Sequence, residues 1–562
     1  MQIESFIFLL FFLSTILCAN SIWQKNEWKA LLHYDQKFYI DDKNFYLSKK
    51  RDLKSEFIAT IKTFKKHPYF QCKFPARKLF IENELNITFP KAKCKEFEEY
   101  KKKAPAEEIY LVFASENIKN PSSMMGHTFF KIVGHTNSRE VAHAITFYTV
   151  IENNPIKLIE QNIYSGMKGF FSLKPYWKIL NNYLNIEKRS IWEFKLKLNN
   201  YRKKLIYYHF WELKDIKMKY YFTSYNCADV VFYSLILAKP NIQKKLWNTP
   251  LSVIHTAKLY NLIEKINFIP TDGYLIKILE EDLSYKDLLD IKNFINNPNN
   301  KSNYNQWSSA KLLLLQTYIK YLYKNSKLTN IRYYRLKKDI QKQLKSTQIN
   351  IYNYKSPLNI PKERSLAIAL KNINHQNFLK LSFLPASHLL SDDNRDYSGE
   401  NELKLFYISI LINNRKIILD EFSIYSIYAL VPYDPLLNLL SYRFSLAIKQ
   451  LQRTTFILDG GIGKNFKFSD INLYLFINFG FWYDKKFSFY GVTYPEIGLL
   501  INEIFNMKSY FYYKYIITSS NEKYPIYGLT HSFFLSKNKK LFINYEKINK
   551  NNQIEFGYEI KF

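Results

Sequence analysis

One cysteine and one histidine stand in settings where thiol chemistry is expected. Cys227 follows the polar stretch 223–226 and precedes an apolar run with helical spacing that Pro240 ends, which predicts a helix start at the cysteine. Unpaired backbone N–H groups and the helix dipole at such a start favour a thiolate. His127 follows Gly126 at the start of a predicted strand and is a candidate base for that thiol. The alternatives are a small buried cysteine and a structural histidine.

The cysteine count separates Cys227 from the others. Of four cysteines, Cys18 lies in a predicted export signal, and Cys72 and Cys94 enclose a short loop whose ends are natural partners in an oxidising compartment. A disulfide between Cys72 and Cys94 is therefore predicted, and it leaves Cys227 as the unpaired thiol. An unpaired cysteine in an exported protein is either reactive or awaits an intermolecular partner.

Residues 1–19 are predicted to be a signal peptide. Residues 5–17 form an apolar run whose length suits a signal and is short for a membrane-spanning helix. The residues before this run lack the usual Lys or Arg, and Leu17 before Cys18 makes a poor lipobox. Cleavage near Ala19 is therefore favoured over attachment of a lipid to Cys18.

Composition predicts a folded protein with several domains. The chain has 562 residues, and a hydrophobic content of 47% with 18% aromatic residues excludes global disorder. A balance of 81 basic against 49 acidic residues gives a net charge of +32. Because Lys is abundant along the whole chain and no RNA- or DNA-reading motif accompanies it, no nucleic-acid partner is predicted. The charge is compatible with attraction to an anionic membrane surface.

The periodicity of the apolar residues predicts an α+β multidomain protein. Residues 20–104 are expected to form a helical N-terminal domain, and strands and helices alternate in a core at 105–262. Residues 263–360 are predicted as a helical region, with one helix at 262–269. From 361 to 562 the period changes to two, and about twelve segments separated by polar turns predict an antiparallel β-barrel.

The last ten residues indicate what surrounds the barrel. Five apolar residues alternate with other residues there: Ile554, Phe556, Tyr558, Ile560 and Phe562. This pattern and its terminal aromatic residue are typical of outer-membrane barrel strands, so a membrane-spanning barrel is expected. Lys449 and Lys561 must then point inward or lie at the membrane interfaces. A soluble barrel or sandwich is the alternative.

Several short motifs in a fixed order resemble the Lnb N-terminal periplasmic domain family of Gram-negative bacteria. They are Ala-Ser at 114–115, Pro-Ser-Ser-Met-Met-Gly-His at 121–127, Arg-Ser-Ile-Trp at 189–192, His-Phe-Trp-Glu-Leu at 209–213 and Tyr-Asn-Cys-Ala at 225–228. Flanking motifs of the family are Cys-Lys-Phe-Pro-Ala-Arg at 72–77 and Pro-Ala-Ser-His at 385–388. The resemblance implies a circularly permuted papain-like core, similar to the lecithin retinol acyltransferase group, in which the histidine precedes the cysteine.

The resemblance also implies roles for residues of this core. Cys227 matches the nucleophile and His127 matches the base that activates it. A base needs an orienting partner, and His143 lies where permuted papain-like enzymes place their third polar residue. Ser123 and Asn226 are expected either to donate hydrogen bonds to an oxyanion or to hold the loops.

The expected function is thiol-based acyl transfer or amide hydrolysis at the cell envelope, without a metal or an organic cofactor. His209 and Glu212 share one predicted helix, but no third metal-ligand candidate has useful spacing, so they are expected to pack and cap. The founding family member is linked to N-acylation of bacterial lipoproteins, although this chain lacks predicted membrane-spanning helices downstream. Lipid or lipoprotein acyl groups are the expected substrates. The alternatives are a peptidoglycan peptide hydrolase and a non-enzymatic outer-membrane scaffold or transport protein.

Overall fold

A computed structural model describes residues 22–115, 125–150, 160–161, 165–243, 247–297, 306–344, 355–397 and 399–562. These residues fall in two compact units, Met1–Thr271 and Asp272–Phe562. The predicted signal peptide at 1–19 lies outside the described residues, and so does Ser123.

Short helices and a disulfide form the N-terminal part of the first unit. The elements are α1 (Asn26–Leu31), β1 (Tyr34–Asp35), β2 (Lys37–Phe38), α2 (Leu53–Lys66), α3 (Phe70–Lys73), α4 (Pro75–Leu85) and α5 (Lys95–Lys103). Asp52 caps α2 by accepting a backbone hydrogen bond of 2.8 Å from the first turn, and Phe57 and Phe64 bury its apolar face. Cys72 and Cys94 form the predicted disulfide, with Cα atoms 5.1 Å apart.

A seven-stranded antiparallel sheet forms the core of the first unit. Its order is β8 (Met218–Tyr220), β6 (Met167–Pro175), β5 (Arg139–Thr149), β4 (His127–Thr136), β3 (Glu108–Ala114), β7 (Ile191–Leu196) and β9 (Ile263–Ile269). Three of these strands, β3, β4 and β5, lie between residues 107 and 150. The helix predicted at 262–269 is wrong. These residues form β9 because pairing with β7 satisfies backbone groups at that edge of the sheet.

Helices cover both faces of this sheet. They are α6 (Tyr176–Asn181), followed by a π-helical turn (Asn182–Ile186), α7 (Asn200–Leu213), α8 (Cys227–Ala238) and α9 (Pro250–Leu259). On one face, α6 and the π-helical turn pack in a cluster with Phe129 of β4. On the other, Phe130 contacts Phe210 of α7, with ring centroids 5.0 Å apart. Every residue of α8 is buried, which accounts for its apolar run, and the helix ends before Pro240 as predicted.

Most of the helical region predicted at 263–360 belongs to the second unit. Its described part contains α10 (Asp272–Glu280), α11 (Tyr285–Asn296), α12 (Ser309–Lys324) and α13 (Asn330–Gln343). Their apolar faces meet in one cluster around Ile291, Leu315 and Ile319, which also includes Leu436 from a barrel loop. Within the described part of the chain, none of the helices is both long enough and apolar enough to cross a membrane.

Twelve antiparallel strands close into a barrel in the second unit. They are β10 (Ser365–Ile373), β11 (Gln376–Leu384), β13 (Glu400–Ile412), β14 (Ile417–Leu430), β15 (Ser441–Gln450), β16 (Thr454–Phe468), β17 (Ile471–Asp484), β18 (Ser488–Glu503), β19 (Met507–Thr518), β20 (Lys523–Ser536), β21 (Lys539–Ile548) and β22 (Asn551–Lys561). The short β12 (Ala386–His388) pairs with β13 at one end. Strand β10 pairs with β11 and β22, and β11 pairs with β13, so the ring is complete. The predicted barrel of about twelve strands is confirmed.

The barrel is apolar on its outer face, and its interior combines charged side chains with two clusters of buried apolar residues. In β22, Ile554 and Phe556 are each 54% exposed, whereas Glu555, Glu559 and Lys561 are no more than 5% exposed. A soluble barrel would bury its carbon side chains, so this inverted arrangement is favourable where the surroundings are apolar. The alternation predicted for the last strand is confirmed.

The two lysines singled out in the barrel sequence both form ion pairs with acidic side chains of the barrel interior. Lys449 Nζ lies 3.2 Å from a carboxylate oxygen of Glu421, and Lys561 Nζ lies 2.7 Å from one of Asp392. Neither side chain points toward the apolar outer face. Their positions satisfy the condition that a membrane-spanning barrel sets for lysine.

Arginine substitutions at two depths test whether a bilayer surrounds the barrel. Ile477 is 67% exposed in the middle of β17, and Phe468 is 64% exposed at the end of β16. We expect Ile477→Arg to lower the free energy of unfolding by about 2–4 kcal/mol, and Phe468→Arg, at the margin, by at most about 1 kcal/mol. Urea titration of the protein refolded in lipid vesicles measures both values. Small, equal effects at the two positions would indicate a barrel surrounded by water.

Candidate active site

A capping box fixes the helix start on which Cys227 lies. The side-chain oxygen of Asn226 accepts a hydrogen bond of 2.7 Å from Ala228 N, and Asn226 N donates one of 3.0 Å to the Asp229 carboxylate. Both interactions provide acceptors for backbone N–H groups that have no hydrogen-bond partner within the helix. Cys227 is therefore the first residue of α8, as predicted, and it is a free cysteine that is 4% exposed.

Asn226 has a positioning role in this structure. Its amide nitrogen donates to the carbonyl oxygens of Phe222 at 2.9 Å and Asn248 at 3.1 Å. Asn248 in turn donates to Asp229 at 2.8 Å. Both amide hydrogens of Asn226 are thus used within the loop, so of the two roles expected for this residue the geometry matches the holding of the loop. Ser123, its predicted counterpart, lies outside the described residues.

Two groups near Cys227 favour negative charge on its sulfur. Hydrogen bonding from the backbone N–H of Thr128 and from the Tyr220 hydroxyl lowers the pKa of Cys227, and the interaction with Cys227 adds to the raised pKa of Tyr220. Burial raises the pKa of Tyr220, so its hydroxyl stays protonated. Tyr220 is the last residue of β8, and its role was not predicted from the sequence, although it lies seven residues before the cysteine.

Burial decides the charge state of the thiol. It raises the pKa of Cys227 above its usual value, and the hydrogen bonds from Thr128 and Tyr220 and the charge of Arg189 only partly oppose the rise. Asp229 adds to the rise. The expectation that a helix start alone favours a thiolate is therefore wrong for the resting structure, in which the proton stays on sulfur.

His127 is the first residue of β4 and carries a neutral imidazole. Its ring is near-parallel to those of Phe129 and Tyr183, with centroids 6.0 and 6.3 Å away. Loss of solvation, and secondarily the charge of Arg189, lower the pKa of His127 to about 3. A neutral imidazole can accept a proton, which a general base requires.

The structure brings His127 and Cys227 to the same end of the sheet. The N–H that binds the Cys227 sulfur belongs to Thr128, the next residue after His127. The ring of Tyr183 stacks with that of His127. Burial raises the pKa of Tyr183, and Glu187 and Cys227 add smaller increases that Arg189 opposes. Cys227 and His127 are far apart in sequence, and helix α8, which begins at Cys227, packs against strand β4, which begins at His127.

The structure does not bring His143 to this place. In the pairing of β4 with β5, His143 lies opposite Ile132, which is five residues beyond His127. Five residues of a strand span about 16 Å. Burial lowers the pKa of His143, and its Nδ1 is buried without a hydrogen-bond partner in the described part of the chain. The register therefore gives no support to an orienting role for His143.

Arg189 holds the strand ends beside His127. Its guanidinium donates to the carbonyl oxygens of Ala114 at 2.9 Å and Ser115 at 2.7 Å, and it pairs with Glu187 at 3.0 Å. It also places a buried positive charge close enough to affect the pKa of both His127 and Cys227. The motif Arg-Ser-Ile-Trp at 189–192 was a signal for this residue, but the motif alone does not reveal its target.

A buried chain of hydrogen bonds links the cysteine loop to the N-terminal helices. Tyr225 OH lies 2.5 Å from His33 Nδ1, His33 Nε2 lies 2.9 Å from His209 Nε2, and His209 Nδ1 lies 3.2 Å from Glu212. Glu212 also accepts the backbone N–H of Ala76 at 2.8 Å. One consistent arrangement has Tyr225 donating to His33, His33 to His209, and His209 to Glu212.

The titration of this chain follows from its burial. Loss of solvation lowers the pKa of His209 to about 3 and raises that of Glu212 to about 7. His209 is therefore neutral, as the directed chain of donors requires. His209 and Glu212, predicted to pack and cap, instead connect helix α7 to residues of the N-terminal region. Among the described residues, no group of three His, Cys, Asp or Glu side chains could hold a metal ion.

Comparison with family models identifies the core. Residues 96–260 match the model described as the Lnb N-terminal periplasmic domain. The predicted resemblance is confirmed. Residues 20–84 and 355–562 match two models, each described as a domain of unknown function (DUF7843 and DUF7840). The expected location is also confirmed: the protein is exported and resides in the periplasm or outer membrane of a Gram-negative bacterium.

Three of the similar solved structures are porins that match part of this chain. The KdgM porin in complex with disordered oligogalacturonate is 8% identical, the NanC porin 7% and the anion-selective porin from Comamonas acidovorans 10%. Each match covers 35% of this chain and 98% to 100% of the porin, with TM-scores of 0.25, 0.24 and 0.20 in that order. A search of curated proteins found no match.

Removal of the Tyr220 hydroxyl tests the contacts of the sulfur. Because this hydroxyl lowers the pKa of Cys227, Tyr220→Phe should raise it further, and alkylation by iodoacetamide should reach its half-maximal rate at a higher pH. With Cys72 and Cys94 joined in a disulfide, labelling of the mature chain reports on Cys227. Tyr69→Phe, at a 64% exposed tyrosine, should leave the pH profile unchanged. An unchanged profile in Tyr220→Phe would contradict the contact.

Replacement of His33 tests the buried chain. His33→Leu leaves the Tyr225 hydroxyl with only a weak contact of 3.8 Å to Met218 Sδ and removes the partner of His209 Nε2, so we expect a loss of about 1–3 kcal/mol in the free energy of unfolding. Pulse proteolysis in urea measures this loss. The matched control is His67→Leu at an exposed position, expected within about 0.5 kcal/mol of the parent. Equal stability of the two variants would show that the chain contributes nothing.

Proposed function

We propose that residues 96–260 form a cysteine acyltransferase or amide hydrolase domain, with Cys227 as nucleophile and His127 as its base. The observation that carries the proposal is the setting of the Cys227 sulfur. It lies at a capped helix start and accepts hydrogen bonds from Tyr220 and from the backbone N–H next to His127. A nucleophile, a neutral base and oxyanion donors are the groups that acyl transfer through a thiol requires.

The proposed reaction begins from a neutral pair. Because the pKa of Cys227 is raised and that of His127 is lowered, the thiol keeps its proton until attack. As the sulfur bonds to the carbonyl carbon of an acyl group, His127 takes the thiol proton. It then returns the proton to the departing oxygen or nitrogen as that bond breaks. The resulting thioester on Cys227 passes its acyl group to an amine, or to water in hydrolysis.

Tyr220 is proposed to stabilise the charge that develops during attack. Its hydroxyl and the backbone N–H of Thr128 both lower the pKa of Cys227, as donors that stabilise negative charge at the sulfur do. A carbonyl oxygen on a carbon bonded to that sulfur would lie within reach of these donors. Fixed donors of this kind stabilise an oxyanion because they need no reorganisation during the reaction.

The proposed substrates are acyl groups of lipids or lipoproteins. The barrel of the same chain presents an apolar outer face, as membrane barrels do, so the protein is expected to reside where such acyl chains are concentrated. The first domain family is periplasmic by its description.

Trapping the acyl intermediate tests the proposal. The full chain in mixed micelles is incubated with a diacyl phospholipid and a peptide amine, and the peptide carrying Cys227 is weighed by mass spectrometry. We expect an acyl mass on Cys227 that hydroxylamine removes. It should be absent in Cys227→Ala, and the rate of formation should fall about 10²–10⁴-fold in His127→Gln and about 10²–10³-fold in Tyr220→Phe.

The matched control for these variants is His135→Gln. His135 lies on the same strand as His127 but is exposed and pairs with Glu107 at 2.8 Å, so its replacement should leave the rate unchanged. Failure of the parent protein to form a thioester with phospholipid, or equal rates in His127→Gln and His135→Gln, would refute the proposed function.

A further inference from the structure

We infer that the twelve-stranded barrel is closed by its own side chains and acts as a membrane anchor, not as a channel. This inference does not depend on the proposed chemistry of the first unit. It rests on hydrogen bonds and ion pairs between strands that are not neighbours in the ring. Such contacts cross the interior of the barrel and take the space that a water-filled passage needs.

One set of crossing contacts centres on Tyr428 of β14. Its hydroxyl donates to Glu496 of β18 at 3.2 Å and accepts from Lys514 of β19 at 3.2 Å. Strands β15, β16 and β17 lie between β14 and β18 in the ring. Tyr474 of β17 also donates to Glu496, at 3.0 Å. Side chains from both walls therefore meet in the middle of the interior.

A second set closes the end of the barrel that carries Ser365 and Lys561. Lys508 of β19 binds Glu400 of β13 at 2.5 Å. From β13 to β19 is six steps in a ring of twelve strands, so these two strands face each other directly. Lys508 also donates to the carbonyl oxygen of Asp392, in the segment between β12 and β13, at 3.0 Å. Residues 389–397 of this segment lie at the barrel end and take part in its closure.

The interior charges around this segment are paired. Asp392 accepts from Lys540 of β21 at 2.6 Å and lies 2.7 Å from Lys561 of β22. Another ion pair joins Lys371 of β10 and Asp420 of β14 at 2.9 Å, and these two strands are three steps apart in the ring. Each pair joins opposite charges, which offsets the cost of their removal from water.

The exposure of these groups decides between a plug and a pore lining. Arg443, Asp459, Glu496 and Lys508 are 6%, 2%, 2% and 1% exposed. Charged groups that line a water-filled passage contact its water and remain accessible. Here Arg443 pairs with Asp459 at 2.9 Å, Glu496 lies 3.7 Å from Lys514, and Lys508 binds Glu400, so these four charges contact protein groups in place of channel water.

The first test is electrical. The full-length protein is inserted into planar bilayers at neutral pH, and single-channel current is recorded at low voltage in concentrated KCl. We expect no steady conductance. An open conductance of the parent protein that persists at low voltage would overturn the inference.

A variant in which three interior side chains are shortened, here called the emptied variant, tests whether these side chains close the barrel. Tyr428→Ala, Arg443→Ser and Glu496→Ser are combined, and insertion is verified by the heat-dependent mobility of the folded barrel on gels. We expect this variant to conduct at least ten times more than the parent. A matched control replaces the outward-facing Tyr513 and Tyr527 by Ala and should remain closed. A folded, inserted variant that stays silent would refute closure by these side chains.

A labelling measurement keeps the inference testable if the emptied variant does not fold. Ser445 faces inward on β15 and is 2% exposed. In a Cys227→Ala background, Ser445→Cys should resist a small charged methanethiosulfonate at least a hundredfold better than Ser520→Cys in the turn after β19. Equal labelling of the two cysteines would show a water-filled interior and overturn the inference.

Discussion

Asn226 and Asp229 exchange hydrogen bonds across the first turn of α8, and the candidate site depends on this box. It sets the backbone direction at Cys227, so the sulfur meets the end of β4 and the Tyr220 hydroxyl. An N-cap of this kind stabilises a helix by about 1 kcal/mol. Its larger effect here is geometric, because an acyl-transfer site needs its reacting atoms held within a fraction of an ångström.

The surroundings of the cysteine combine opposing electrostatic influences. Burial favours the neutral thiol, while the donors from Thr128 and Tyr220 and the charge of Arg189 favour the thiolate. In the resting structure burial prevails. A neutral cysteine and a neutral His127 are protected from indiscriminate reaction with small electrophiles, since the thiolate is the reactive form. The same donors remain directed at the place where negative charge would develop on a bound acyl group.

The two units stabilise their buried polar groups in different ways. In the first unit a short chain runs through the core from Tyr225 to Glu212, and each of its members hydrogen-bonds to the next. In the barrel, ion pairs lie in the interior beside apolar clusters, and many carbon side chains face outward. The outward-facing carbon side chains of the barrel are the arrangement that lipid surroundings favour. A core in water buries apolar surface, whereas a barrel in lipid gains nothing from doing so and must satisfy its polar groups internally.

Local patterns in the sequence determined much of this protein. The polar break before Cys227 and Pro240 after it defined α8, and the alternation from Ile554 to Phe562 defined a barrel strand with an apolar outer face. The Cys72–Cys94 disulfide followed from counting. Each of these rests on residues that are close in sequence, so helix and strand periodicity and loop closure were enough to predict them.

Tertiary structure decided what depends on register and burial. His143 falls opposite Ile132 because of how β4 pairs with β5, and the edge of β7 turned residues 263–269 into a strand. Tyr220 and His33 reach their partners only after the sheet and helices pack. The protonation state of Cys227 also differs from the expectation, because loss of solvation affects the pKa of the thiol more than the helix start does. None of these features can be predicted from a local sequence pattern. Each depends on groups that folding brings together from distant positions, or on the exclusion of water from the folded protein.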